Sequence, residues 1–184
     1  MDPDILAEAA MKLETLKADL SSDQTEAVLT RLAATMDSRL KRLSLHKSIN
    51  LESMDPVILA EALIKLEFIG VHWFRLSATQ LTSLISKIRH SPDMRIIMLC
   101  LNYTDLSPVP PEILIEALQK VKDVFIMFTR LTAEQFTAIL TMVKENRLGR
   151  LQRITIWDCH IEGQVSPALL EEAKQYKALD YFHF

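Results

Sequence analysis

Five histidines and two cysteines are the residues of this 184-residue chain whose types could do nucleophilic or metal chemistry. His46 and His72 fall at neighbouring places in successive segments, and Cys100 falls one segment further on, which is the raw material of a thiolate–imidazole pair. No third side chain is at hand to orient such a pair. His90, His160 and His183 stand apart, with His160 and Glu162 in a loop. No CxxC or HxxxH spacing exists to hold a metal, and no GxGxxG, Walker A or GxSxG string occurs. Three glycines are too few for a phosphate loop. Catalytic, cofactor-binding and metal-binding residues are therefore all read as none, and the chain as not an enzyme.

Composition narrows the classes further. Hydrophobic residues make up 49% of the chain, so a sizeable core is available. The formal net charge is −3 with both signs interspersed, which gives no basic patch for nucleic acid. No apolar run reaches the length of a membrane span, and the acidic start MDPDILAEAA is unlike a signal or transit peptide. Cys100 and Cys159 make no disulfide framework, so a reduced, cytoplasmic setting is expected.

What must position any site is a repeat. MDPDILAEAAMK opens at Met1, MDPVILAEALIK at Met54, VPPEILIEALQK at Val109 and VSPALLEEAK at Val165, a period of roughly 55 residues. Each period divides into two halves. In the first, Pro3, Pro56, Pro111 and Pro167 suit the first turn of a helix. Ile58, Leu59, Ala62, Leu63 and Leu66 then recur at helical spacing. The second half opens on Ser21, Ser77 or Thr132 as N-cap; Glu134 fits a capping box with Thr132 only loosely. An LxxLxL strand follows each helix. Seven strands are expected near 13–18, 40–45, 66–71, 94–99, 121–126, 151–156 and 176–181, in one domain over 1–184 with no linker.

The pattern LxxLxLxxN/C/T is met by Leu40–Ser48, Met94–Asn102, Val121–Thr129 and Leu151–Cys159, while Phe74 departs from it. On these residues the chain resembles leucine-rich-repeat proteins of the ribonuclease-inhibitor-like type, as in the repeat region of nucleotide-binding leucine-rich-repeat immune receptors. The resemblance implies an α/β solenoid, a horseshoe with the strands on its concave side and helices on its convex side. It implies that the last polar residue of the pattern bonds loop backbone after the strand. It also implies a recognition role without naming the partner.

Alternation along each strand separates inward leucines from residues on the concave face. That face is expected to carry Thr15, Lys17, Asp19; Arg42, Ser44, His46; Phe68, Gly70, His72; Ile96, Met98, Cys100; Asp123, Phe125, Met127; Arg153, Thr155, Trp157; and Ala178, Asp180, Phe182. Its middle is apolar: Phe68, Ile96, Met98, Phe125, Met127 and Trp157 sit on neighbouring strands, with Trp73 and Phe128 extending the rim. A contiguous patch of this kind marks an interaction surface, and Phe, Met and Trp are types enriched in interface cores. His46, His72 and Arg153 are expected at its edge. A protein partner is the leading expectation; self-association and a solvated face without a role are the alternatives. Tyr181, Phe182 and Phe184 end the chain on an apolar strand without a polar cap, so the chain reads as a fragment or as a homo-oligomer joined end to end. Regulation of an enzyme, by inhibition or activation, is a further alternative.

Overall fold

The computed structural model describes residues 1–45, 48–92, 95–173, 175 and 179–183. The architecture is α/β. Seven parallel strands form one sheet in the order β1 (Thr15–Ala18), β2 (Arg42–Leu45), β4 (Phe68–Gly70), β6 (Met98–Cys100), β7 (Asp123–Met127), β9 (Arg153–Trp157) and β11 (Leu179–His183). Sheet order follows chain order, so each strand pairs with the strands of the segments before and after it. The helices between them are α1 (Pro3–Ala10), α2 (Ser22–Ala34), α3 (Pro56–Leu63), α4 (Ala78–His90), α5 (Pro111–Leu118), α6 (Ala133–Lys144) and α7 (Pro167–Ala173).

The two half-units differ in how their helices begin. The short helices α1 and α3 start at Asp2 and Asp55, whose carboxylates accept from two first-turn amides each, followed by proline. The longer helices α2, α4 and α6 start at Ser21, Ser77 and Thr132 with a full capping box. The partner in each box is glutamine: Gln24, Gln80 and Gln135 accept from the N-cap amide. Glu134, the residue considered from sequence, is one place too early. Lys65 closes the opposite end of α2, donating from Nζ to the carbonyls of Leu32, Ala33 and Thr35.

A single core joins helices and sheet. The strands supply it with Leu16, Leu43, Leu45, Ile69, Leu99, Val124, Ile126, Ile154 and Ile156, and the helices with Leu29, Leu59, Leu84, Leu114, Phe136 and others, all buried. The strands begin two to four residues later than expected. In four of the patterns the leading residue ends the turn after the helix and is not yet extended: the amides of Leu13, Leu66, Val121 and Leu151 donate to carbonyls three residues earlier.

One register differs. Leu99 pairs with Val124, and Val124 with Ile154, so the pattern at β6 runs Ile96, Leu99, Leu101 and ends on Thr104, not Met94, Ile97, Leu99 and Asn102. Ile96 is accordingly a buried core residue and not part of the outward face.

Four further strands, absent from the sequence reading, form two small parallel pairs after the main strands: β3 (Ile49–Asn50) with β5 (Phe74–Arg75), and β8 (Arg130–Thr132) with β10 (His160–Glu162). Phe74 is buried there, which explains an apolar residue where the pattern asks for a polar one. Gly149 is required by geometry. Its φ is +57°, and a Cβ would lie 2.6 Å from the carbonyl oxygen of Gln119.

Candidate functional site

The outward face of the sheet is the face turned away from the helices, and strand register arranges it in rows. The first row runs Thr15, Arg42, Phe68, Met98, Asp123, Arg153. The second holds Lys17 and Ser44 on one side and Gly70, Cys100, Phe125 and Thr155 on the other. A third, shorter row pairs Met127 with Trp157. Phe68, Met98, Phe125, Met127 and Trp157 are all half-buried on this face. The strands before them are polar: Thr15, Lys17 and Arg42 are exposed. The apolar stripe therefore lies over β4 to β9, as the residue list implies once Ile96 is removed.

Its charges are already engaged. The Arg42 guanidinium lies 3.9 Å from the ring centroid of Phe68. Arg153 donates from Nε to Asp123 at 3.2 Å, with its guanidinium carbon 5.7 Å from the Phe125 centroid. Asp123 and Thr155 are buried between their neighbours. Gly70 leaves a gap that the Trp73 indole fills: an added Cβ would meet Trp73 Cε3 at 2.9 Å.

His72 and the two cysteines are placed for packing. His72 sits in a 3-10 turn, Val71–Trp73, with its ring 4.9 Å from that of Trp73. Its Nδ1 is buried and makes no hydrogen bond, and burial holds the imidazole below its ordinary range. Burial pushes the Cys100 thiol up to about 11, the opposite of an activated nucleophile. Cys159 donates from Sγ to the carbonyls of Ile126 and Trp157 and is also raised, chiefly by burial. Among the described residues no group of three or more His, Cys, Asp or Glu side chains could hold a metal ion. No helix among them is long and apolar enough to cross a membrane.

His46, Ala178 and Phe184 lie outside the described residues. Strand β11 is the last strand of the sheet, paired on one side with β9. Its register shifts by one between Leu179 and Tyr181, after which Tyr181, Phe182 and His183 pair with Thr155, Ile156 and Trp157.

A further surface was not legible as such. Just past the strands, Thr129 Oγ1 donates to the carbonyls of Leu101 and Met127, and Thr104 Oγ1 to that of Asn102. Asn102 instead accepts from the amide of Met127. The residues immediately before these polar positions, Tyr103, Phe128 and Asp158, are all left-handed, with φ of 55°, 53° and 47°. The rings of Tyr103 and Phe128 stack at 4.9 Å with 10° between planes. Both border a cleft of about 630 Å³, and Tyr103, Thr104 and Asp105 also line an adjoining cleft of about 800 Å³. Aligning Tyr103, Phe128 and Asp158 from sequence requires the corrected register at β6. On the helix side a groove of about 650 Å³ lies between α5 and α6, lined by Pro111, Ile115, Glu134 and Ala138 among others.

No protein-family model matches the chain, and no curated protein matches it.

Proposed function

We propose that the chain is a leucine-rich-repeat solenoid of the ribonuclease-inhibitor-like type and serves as a non-enzymatic, cytoplasmic protein-recognition module. Supporting the solenoid reading are the strict succession of parallel strands and the alternation of short Asp- or Pro-started helices with longer capping-box helices. The observation that carries the recognition reading is the half-buried stripe Phe68, Met98, Phe125, Met127 and Trp157, contiguous across four strands. Arg42, Asp123 and Arg153 fix orientation at its border more than affinity. A photo-crosslinking amino acid in place of Met98 should trap a protein partner, and the same group in place of Val57, exposed on α3, should not. Equal trapping at both positions would remove the face from the account.

A second reading is self-association. It is favoured by the same half-buried stripe, which a second copy of the chain could cover in place of another protein. Light scattering separates the two: a mass that grows with concentration supports assembly, and a constant monomer mass supports the recognition module.

A further inference from the structure

Tyr103 and Phe128 continue the ladder beyond the sheet, their amides donating to the carbonyls of Met127 and Trp157 at 2.9 Å each. Asp158 takes the next place in that row. The left-handed conformation all three adopt is cheap for Gly, Asn and Asp and unfavourable for bulky residues. Asp158 fits that rule; Tyr103 and Phe128 break it. Burial does not compensate, because Tyr103 is 70% and Phe128 43% exposed. Two aromatic rings held in a costly backbone conformation and left facing solvent are unexplained by folding, and strain kept at the surface points to a ligand.

The cleft states which ligand. It is lined by Tyr103, Asp105, Phe128, Arg130, Asp158 and His160, with two threonines. Arg130 is held between Asp105, at 3.8 Å, and Glu162, so its charge is neutralised within the chain. That leaves an aromatic stack beside the Asp158 carboxylate, which is a receptor for a planar cation. The same surface already shows the pairing: the ring of Phe68 carries the guanidinium of Arg42 at 3.9 Å. Among the described residues no cation lies over the rings of the Tyr103–Phe128 stack. Bases could also stack on these rings, but their phosphates would meet Asp105, Asp158 and Glu162 in a chain of net charge −3.

We propose that the Tyr103–Phe128 stack and Asp158 form a docking site for an arginine side chain on an exposed segment of a partner protein. The site lies past the strand ends and does not depend on the apolar stripe of the sheet.

The test is an amide-shift NMR titration of the whole chain with the peptide acetyl-Gly-Arg-Gly-amide, and with its Lys, Leu and Glu counterparts. The arginine peptide should shift amides clustered at 103–105, 128–130 and 158–160, bind about fivefold more tightly than the Leu peptide, and weaken with salt. Tyr103→Asn, which suits the left-handed backbone, should weaken it about fivefold without lowering stability. Asp158→Asn should weaken it and flatten the salt dependence, and Phe125→Ala should leave it unchanged. The proposal is overturned if no shifts cluster there, if the Leu or Glu peptide binds as tightly, if Tyr103→Asn binds normally, or if an oligouridine probe displaces the peptide. Loss of peptide binding in Phe125→Ala would likewise overturn it by moving the site to the sheet. None of these outcomes bears on whether the stripe itself binds a protein.

Discussion

Gln135 donates from Nε2 to the carbonyl of Leu106 at 2.6 Å, across 29 residues of chain. The same amide nitrogen also reaches the carbonyl of Val109, while Oε1 accepts from the Thr132 amide. One buried side chain thus closes the capping box of α6 and satisfies the loop that precedes α5. Gln80 does the same for α4, bonding the carbonyls of Leu51 and Met54. Replacing Gln135 with Ala opens the box and strands two buried carbonyls. The expected cost is about 3 kcal/mol in urea unfolding, against under about 1 kcal/mol for Gln24→Ala at the exposed end. Equal losses at the two positions would contradict the role given to the buried bonds.

Gly149→Ala should also destabilise, by about 2 kcal/mol or more, because it adds left-handed strain to a clash 2.6 Å from the Gln119 carbonyl oxygen. Gly163→Ala, also at positive φ but meeting only the Ala133 Cβ at 3.1 Å, should cost less. Thermal unfolding of the two variants ranks them.

The Tyr103–Phe128 stack should show as coupling. In a double-mutant cycle with Tyr103→Asn and Phe128→Asn, the two changes should be non-additive by about 0.5–1.5 kcal/mol. Tyr103→Asn alone should change stability by less than about 0.5 kcal/mol, since release of the left-handed aromatic offsets the lost ring contact. A large destabilisation would show that Tyr103 is a folding residue.

The raised Cys100 thiol carries a pH dependence. Its proton is kept in the folded chain up to about 11, against an ordinary value of 9.0. Between those values the unfolded chain has lost the proton and the folded chain has not. Stability from this group is therefore present below about pH 9 and declines as pH rises toward 11. Cys100→Ala should flatten that part of the stability curve. At pH 8 iodoacetamide should label Cys100 far more slowly in the native chain than in urea, and equal rates would contradict its burial.

The strand–helix succession was legible because inward leucines and helix starts repeat at matched spacings. Strand limits were displaced because Leu66, Val121 and Leu151 are buried like strand residues while their backbone is still turning. The register at β6 was illegible for a different reason. Ile96 to Leu101 reads IIMLCL, an unbroken apolar run in which period two cannot choose a face, and both Asn102 and Thr104 can end the pattern. The order of the chain then put Ile96 on the outside, where the fold puts it in the core. The pairs β3–β5 and β8–β10 are two or three residues long, too short to show a period. The stripe itself could be read from types and alternation, whereas Arg42 over Phe68 and Tyr103 on Phe128 arise only when strands are set side by side.

The recognition face is tested most directly by affinity capture with the wild-type chain and with the Phe125→Ala/Trp157→Ala variant, each first shown by urea unfolding to be folded. The account predicts a protein retained by the wild type and lost from the variant, with hot-spot losses of about 2 kcal/mol per side chain once that protein is titrated. Retention of the same protein with the same affinity by both chains would contradict it.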